Sequence, residues 1–408
     1  MNDGYQAVLV RRGLALPPGA MERLKMKVMC KRTGFSFIIP VLVAMVLSGI
    51  VASCGKEVVP GTEDPEDGVF VEFSLADLGA KSTRVQGSSS LTSNEQRVNR
   101  WAVYVFDGSG NYVTHGTQTS VTNANASNAS IRKTIGRGTY TVCAVVNYPT
   151  SWSATSMNRT ALKAVSSSLA DNSATSLVMF GEEENVSITA STTGKTIAVY
   201  RLVARLGIQS ISVRMSSAFY AAQTFVLKGV YVTNVMSETT YGSDANASAT
   251  TYNNRNMWYN TMGWMTSGSR TSPACPQAIL GDRSLGTNGN GVTIAQNGSY
   301  TTAHYFYVCP NTFSGTDTHA ATWSWRRTRI IIEGTIGGVT YYWQVNVQPQ
   351  QRNNSYVVQE AVITRPGSTD PEQENPGSID LVFDTTWPSS GVGSDGWNTN
   401  TITVSETS

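Results

Sequence analysis

The sequence is poor in charge, since Asp, Glu, Lys and Arg make up only 14% of its 408 residues, against about 25% in an average soluble domain. Helices usually carry charged side chains on their solvent-facing sides, so this deficit argues against a helical protein. Three histidines and five cysteines are scattered without metal-ligand spacing, and neither an HExxH motif nor a phosphate-binding glycine loop occurs. We therefore predict no metal site, no cofactor and no catalytic residue.

The balance of charges also argues against a nucleic-acid partner. Residues 1–53 hold seven basic and two acidic residues, which leaves 30 − 7 = 23 basic and 28 − 2 = 26 acidic residues, or a net charge of −3, in the remainder. Nucleic acids are bound through clustered basic side chains, and this remainder has no such excess.

The residues that are abundant are typical of strands joined by polar turns. Glycine (36 residues), tyrosine (17) and tryptophan (9) are frequent, as strands and turns require. Apolar residues alternate over 69–75 and again over 98–106, which predicts two strands. In the second, Trp101, Val103 and Val105 share one face. A glycine-containing turn is predicted at 107–111.

Further strands and one helix follow along the chain. Leu162, Val165 and Leu169 indicate a short helix. Strands are predicted near 138–146, 197–203, 206–213, 224–235, 299–309, 327–333, 338–347, 355–364, 378–384 and 401–405. So many short strands indicate an all-β protein with two tandem antiparallel β-sandwich domains. We predict the domains at 69–195 and 196–408, because a polar stretch from Ser191 precedes a new apolar run.

An export signal precedes these domains. Basic residues from Lys25 to Arg32 are followed by an apolar run over 35–51, as in a secretory signal. The sequence that follows, Val51-Ala52-Ser53-Cys54, resembles the bacterial lipobox. The resemblance implies cleavage between Ser53 and Cys54, with diacylglyceryl and acyl chains (palmitate among them) attached to Cys54. The alternative is a retained membrane helix. A spanning helix needs about 20 apolar residues, and this run is shorter.

The leader is unusually long, because residues 1–53 exceed the 15–30 typical of signal peptides. Translation from Met26 would give an ordinary length, so we predict that the true start is Met26. The alternative is that residues 1–25 are a genuine cytosolic extension. Residues 54–68 are rich in Pro, Gly and acids, and we predict a solvated tether between lipid and fold.

Three cysteines remain in the folded part. Cys143 lies in an apolar strand and is expected to be a small core residue. Cys275 and Cys309 either form one disulfide or stay unpaired, and the sequence leaves this open.

Several sequence phrases occur in a recognisable order. They are Val98–Asp107 with its glycine turn, Gly138–Val142 ending at Asn147, Arg201–Leu206, Tyr307–Asn311, Arg352–Tyr356 leading to Gly367–Pro371, and a closing strand near Trp387. In this order, together with the lipobox, they resemble the Bacteroidales fimbrillin family, the subunits of major and minor fimbriae. The resemblance covers residues 54–408.

The resemblance implies two transthyretin-like sandwiches and assembly into surface fimbriae that support cell adhesion. It also implies a lipoprotein that uses the lipoprotein export machinery, is anchored in the outer membrane by its lipid, and binds other fimbrial subunits. In the family, a trypsin-like, arginine-specific protease removes the first strand, and a neighbouring subunit donates a C-terminal strand to the vacated groove. A host or bacterial surface receptor is a further implied partner.

The family's processing site maps best onto Arg84, with cleavage before Val85. Arg84 follows the first strand within a small-residue loop. Arg97 and Arg100 abut the next strand and are expected to be less accessible. The alternative is that Arg84 is an ordinary surface arginine.

The donor strand maps onto residues 378–408, where two stretches alternate. One contains Ile379, Leu381 and Phe383, and the other Ile402 and Val404. Either stretch could instead close the sheet of its own domain. The final residues are more polar than expected for a stalk donor, so a tip or anchor subunit stays open.

Features of the sequence also suit two other classes of protein. Trp258, Tyr259 and Trp264, with Trp323 and Trp325, would suit a surface glycan-binding lipoprotein, because exposed aromatic rings stack on sugars. A hydrolase would need two carboxylates at a defined separation. The triplet Glu182–Glu184 is expected to lie in a solvated loop.

Overall fold

The computed structural model describes residues 68–76, 94–242, 258–259, 281–282, 285–312, 327–347, 349–371, 373, 375–382 and 398–399. Within these ranges the chain forms 23 strands but only two short α-helices, so the all-β prediction is confirmed. No helix in this part of the chain is long and apolar enough to cross a membrane.

Two sheets form in the N-terminal part of the chain. Its strands are β1 Val69–Leu75, β2 Trp101–Phe106, β3 Tyr112–Gln118, β4 Ser130–Ile135, β5 Gly138–Val146, β6 Ser166–Ser168, β7 Met179–Ile188, β8 Gly194–Ile197 and β9 Tyr200–Arg201. A five-stranded sheet has the order β3-β2-β5-β7-β9, and a three-stranded sheet has the order β4-β1-β8. Side chains of β1 and β2 share one buried apolar cluster, so the two sheets form a sandwich.

Two further sheets follow, with six and five strands. Their strands are β10 Ala204–Val213, β11 Phe225–Thr233, β15 Gly281–Asp282, β16 Val292–Ile294, β17 Ser299–Tyr300, β18 His304–Val308, β19 Arg329–Ile336, β20 Val339–Asn346, β21 Asn354–Ile363, β22 Ile379–Val382 and β23 Asn398–Thr399. One sheet contains β10, β17, β18, β21, β22 and β23, and the other contains β11, β15, β16, β19 and β20. Two separate two-stranded sheets also form: β12 Val235–Met236 pairs with β14 Trp258–Tyr259, and β13 Glu238–Thr240 pairs with β6 of the N-terminal part.

Most neighbouring strands are antiparallel, but three pairs are parallel. These are β1 with β8, β10 with β21, and β21 with β23. Parallel neighbours require a long crossover connection, which the alternation of apolar residues does not reveal.

The alternation in β2 produces two buried faces. Trp101, Val103 and Val105 belong to the cluster shared with β1, as predicted. Tyr104 and Phe106 belong to a second cluster on the other side of the sheet. The large N-terminal sheet is therefore covered on both sides, which explains why every residue of β2 is buried.

Local sequence explains the turn after β2. The Asp107 carboxylate accepts hydrogen bonds from the backbone N–H of Ser109 (2.9 Å) and of Asn111 (2.8 Å). Gly110 has a φ of 81°, in the left-handed region that glycine adopts without strain. The predicted turn at 107–111 is confirmed.

A short helix is observed, but of the three residues that predicted it only Leu162 lies within it, because Val165 follows the helix and Leu169 begins a 3₁₀ helix after β6. Helix α1 spans Arg159–Lys163, its Leu162 side chain is buried, and the Asn158 side chain accepts a hydrogen bond from the Ala161 N–H at 2.8 Å. This is an ordinary N-cap. The second helix, α2 Ala218–Ala221, was not predicted.

Two local expectations are wrong. Glu182–Glu184 lie on β7 rather than in a loop, because Arg159 and Lys163 cover this part of the strand and pair with Glu182 at 2.6 and 2.7 Å. The expected strand 197–203 is divided between the end of β8 and the short β9.

One apolar cluster runs through the whole described fold, from Val71 in β1 to Ile363 in β21. Strand β8, which spans the predicted division at 195/196, and β9 both pair with N-terminal strands. The division into domains at 69–195 and 196–408 stays a prediction.

Candidate functional site

Strand β1 occupies the middle of the small N-terminal sheet. It is antiparallel to β4, from Val69 opposite Ile135 to Ser74 opposite Ser130, and parallel to β8. Both of its backbone edges are thus hydrogen-bonded. We call the space between β4 and β8, which β1 fills, the β1 groove.

The inner face of β1 is apolar and buried. Val71 and Phe73 are completely inaccessible to solvent, and Leu75 is 5% exposed. Val69 is half-buried at the end of the row. By contrast, Phe70 on the outer face is 75% exposed. If fully buried, each inner side chain contributes about 1.5–3 kcal/mol to holding β1 in the groove.

Apart from Phe70, the outer face of β1 is polar. The Glu72 carboxylate accepts hydrogen bonds from the Ser130 hydroxyl and from Arg132, whose Nη2 lies 3.0 Å away. The Ser130 hydrogen bond and the Arg132 charge lower the pKa of Glu72 below its ordinary value. The hydroxyl oxygens of Ser74 and Thr196 are 3.1 Å apart. Polar contacts therefore join β1 to both neighbouring strands.

The chain that follows β1 becomes firmly anchored at Glu95. This side chain is 3% exposed and accepts a hydrogen bond from the Tyr307 hydroxyl at 2.6 Å. Its other oxygen lies 3.3 Å from Nη1 of Arg205, which is also buried. We call Glu95, Arg201, Arg205 and Tyr307 the Glu95 anchor, because the Arg201 guanidinium donates to the Glu95 backbone carbonyl.

Electrostatics within the Glu95 anchor are consistent with this pairing. Burial, and next the negative charge of Glu95, raise the pKa of Tyr307 above its ordinary value. Tyr307 thus stays a neutral donor. Glu95 was not predicted from the sequence. The charged residues Arg201 and Arg205 lie within an apolar run. Buried charges usually have partners, and that signal could have prompted a search for an acid.

Asn147 secures the residues just after Glu95. Its backbone φ is 55°. Its Oδ1 accepts a hydrogen bond from the Asn99 N–H at 2.8 Å, and its Nδ2 donates to the Arg97 carbonyl at 2.8 Å. Arg84 lies outside the described residues, so the accessibility of Arg97 relative to Arg84 stays a prediction; the Arg97 side chain is exposed. Its main chain is nevertheless held in place.

The described part of the C-terminal segment pairs with strand β21 of the same subunit. Strand β22 pairs with β21, with Ile379 opposite Ile363 and Leu381 opposite Ala361. Ile379 and Leu381 are half-buried, while Asp380 and Val382 are exposed. The backbone of β23 pairs with the start of β21.

The remaining predicted site residues lie outside the described residues. They are Ser53, Cys54, Arg84, Val85, Phe383, Ile402 and Val404. Of the aromatic residues suggested for sugar binding, Trp264, Trp323 and Trp325 also lie outside the described residues. Trp258 and Tyr259 are the two residues of β14.

Two of the three remaining cysteines are described, and both carry buried free thiols. Cys143 lies on β5 within the second apolar cluster, as predicted. Cys309 is likewise buried and unpaired, and Cys275 lies outside the described residues. Among the residues whose positions are described, no group of three or more His, Cys, Asp or Glu side chains could hold a metal ion.

Comparison with known proteins bears on the N-terminal sheets directly. Residues 69–204, about a third of the chain, match the family model described as major fimbrial subunit protein (FimA). This range starts at the first residue of β1 and ends at the first residue of β10. Residues 69–204 are thus similar to the major fimbrial subunits of the fimbrillin family. The resemblance stated from the sequence is thereby confirmed.

Solved structures extend the similarity along the chain. A fimbrilin from Porphyromonas gingivalis W83 is 16% identical with a TM-score of 0.54, over 84% of this chain and 100% of that chain. A Bacteroides eggerthii protein, assigned provisionally to cell adhesion, gives the same values. A Parabacteroides distasonis protein with a similar description is 15% identical with a TM-score of 0.52, over 78% of this chain and 91% of that chain. At such identities the similarity establishes a shared fold.

No curated protein sequence matches the chain significantly. The fimbrillin family is a family of structural fimbrial subunits rather than of enzymes. We therefore take the β1 groove as the candidate functional site of this fold.

Proposed function

We propose that this chain is a structural subunit of surface fimbriae, exported as a lipoprotein and supporting cell adhesion. In this proposal the subunit is anchored in the outer membrane through Cys54, a trypsin-like protease cleaves between Arg84 and Val85, and the processed subunits polymerise by exchanging strands. The position of β1 is the observation that carries it.

Removal of β1 would expose two unpaired strand edges at once. The edges of β4 and β8 now bonded to β1 would lack partners, and Val71, Phe73 and Leu75 would leave an apolar groove behind. An unpaired edge beside an apolar groove is a template for another strand, and strand addition satisfies both the backbone and the groove. The same feature explains a stable precursor and a reactive product.

The chain has suitable attachment points on either side of β1. Before it lies the predicted tether 54–68, and after it the predicted cleavage site, followed by the Glu95 anchor. Cleavage at Arg84 would leave β1 attached only to the lipid side. The hydrogen bonds of Glu95 and Asn147 would keep the remaining domain folded from residue 95 onwards.

The donor strand in this proposal comes from residues 378–408. Strand β22 is the candidate that lies within the described residues, and its Ile379 and Leu381 alternate with exposed positions and are only half-buried on β21. Transfer to the β1 groove, where the corresponding residues are completely buried, increases the apolar surface removed from water.

Limited proteolysis tests the processing step. A precursor beginning at residue 55 should stay monomeric, and treatment with an arginine-specific protease should give a fragment starting at Val85 and then ladders of oligomers. Arg84→Ala should suppress both. Lys81→Ala, a matched change in the same segment, should leave them unaltered. Assembly of the Arg84→Ala chain as readily as the parent would contradict the proposal.

Truncation after Pro376 tests the donor step separately. The truncated chain should still be cleaved at Arg84 but should not form ladders, because β22 and everything after it are missing. If ladders grow normally, the donor lies elsewhere in the chain.

Lipidation is tested by Cys54→Ala. In cells supplied with a radioactive fatty acid, the parent should be labelled and this variant should be neither labelled nor cleaved from its leader. Undiminished labelling of Cys54→Ala would rule out the predicted anchor.

A further inference from the structure

The outer rim of the β1 groove carries a positive charge beside a hydroxyl group. Arg132 and Ser130 of β4 both bind the carboxylate of Glu72. Glu72 lies between the buried Val71 and Phe73 in an apolar–acidic–apolar sequence. When β1 leaves the groove, this carboxylate leaves with it, and the guanidinium of Arg132 loses its partner.

The same apolar–acidic–apolar sequence occurs in β22. Asp380 lies between Ile379 and Leu381, and it is exposed while its two neighbours are half-buried. Its carboxylate forms no ion pair with any residue that the structure describes. Because the acid is central, the match with Val71-Glu72-Phe73 holds for either direction of an incoming strand.

The alternative donor lacks this feature. Thr403 lies between Ile402 and Val404, so a strand centred there would offer a hydroxyl group to Arg132. The charge on the rim therefore discriminates between the two donors, whereas the apolar pattern alone does not.

Resting on the proposed strand exchange, we propose that Ser130 and Arg132 set the register of the incoming strand by binding Asp380 of a second copy of this chain. A slip of one residue would turn the apolar residues out of the groove. A slip of two residues keeps the apolar residues inside the groove, so only a contact made by an outward-facing group can disfavour this slip. Asp380 is that outward-facing group, and its ion pair with Arg132 is the contact that favours the correct register.

The expected effect is on the rate and register of assembly rather than on stability. Arg132 is 75% exposed and its present partner Glu72 is 40% exposed, and exposed ion pairs contribute little to stability. Charges at the rim of an interface change the association rate and its dependence on salt. The interaction should therefore weaken as ionic strength rises.

A charge-exchange experiment on the full precursor tests this inference. Arg132→Glu and Asp380→Lys should each slow ladder formation after protease treatment by about three- to tenfold at low salt, and the double variant should return to within about twofold of the parent. Thr134→Glu, on the same outward face of β4 two residues further on, should assemble like the parent. The appearance of the Val85 fragment should keep its time course in every variant, which would confirm that folding and cleavage are intact.

The outcomes separate the inference from the proposed function. If the parent is cleaved but forms no ladders, strand exchange itself is wrong. If the parent assembles but both single variants do so equally fast, or the double variant remains as slow as the single ones, Arg132 and Asp380 do not pair. If Thr403→Lys slows assembly while Asp380→Lys does not, the donor is the 402–404 stretch and the register assignment is wrong.

Discussion

The carboxylate of Glu95 lies 3.3 Å from the guanidinium of Arg205, and both side chains are almost completely buried. The two residues are separated by 110 positions in the sequence. Their ion pair joins the chain that follows β1 to the first long strand of the C-terminal sheets. Loss of β1 would thus leave this connection in place.

We predict that breaking this pair from one side is strongly destabilising. Glu95→Gln should lower the free energy of unfolding by about 3–5 kcal/mol, because the buried positive charge of Arg205 would lose its partner. Arg214→Ala, which removes the more exposed ion pair with Glu360, should cost no more than about 1 kcal/mol. Urea denaturation of the precursor measures both, and equal effects would show that burial of the Glu95 pair does not matter.

A second prediction concerns how tightly β1 is held. Phe73→Ala should destabilise the precursor by about 3–5 kcal/mol, because it removes a completely buried aromatic side chain and leaves a cavity. Phe70→Ala changes the same residue type on the same strand, but there the side chain is 75% exposed, so the effect should stay within about 0.5 kcal/mol.

Thermal unfolding followed by circular dichroism distinguishes the two phenylalanine variants. Destabilisation of β1 should also make the Phe73→Ala chain release its first strand sooner after cleavage. A Phe73→Ala precursor as stable as Phe70→Ala would mean that β1 does not occupy the groove in solution.

A third prediction concerns acid stability. Burial alone would raise the pKa of Glu182, but hydrogen bonds from Arg159 and Lys163 outweigh it, so the pKa lies below its ordinary value of 4.5. A lowered pKa in the folded state stabilises the fold above the ordinary pKa, and this contribution is lost as pH falls through the folded-state pKa. Glu182→Gln should therefore be less stable than the parent at neutral pH.

The difference between Glu182→Gln and the parent should narrow as pH falls below about 4.5. Melting temperatures measured from neutral pH down into this range provide the comparison. Glu183→Gln, the neighbouring change on β7 at a residue outside the ion pairs of Glu182 with Arg159 and Lys163, is the control. A difference that does not depend on pH would contradict the assigned role of Glu182.

A fourth prediction concerns the thiols. Burial, reinforced by the nearby Glu182 carboxylate, raises the pKa of Cys143 above its ordinary value, and burial likewise raises that of Cys309. Since the thiolate is the reactive species, neither should react with iodoacetamide in the folded chain. Both should react in urea.

The labelling is best measured by mass spectrometry on residues 55–408 carrying Cys275→Ser, so that only these two cysteines remain. Rapid modification of either thiol in the native protein would contradict the buried environments assigned to them.

Local features of this fold could be predicted from sequence because their causes are local. The inner residues of β1 alternate with polar ones, and the Asp107 turn depends on contacts within five residues. The Glu95 anchor could not be predicted, because it joins residues 95, 205 and 307 through the folding of the whole chain. The parallel pairing of β10 with β21 could not be predicted for the same reason, because it depends on a long connection between strands that are distant in the sequence.

Strand β22 has one further consequence for the molecule before it assembles. Together with β23 it covers the outer edge of β21, which would otherwise be an exposed edge open to indiscriminate pairing with other chains. In the proposed strand exchange, a donor segment stored in this way would protect the chain from aggregation before assembly. Donation would also expose an edge of the donor subunit, because β22 would leave β21 when it completes the sheet of a neighbour.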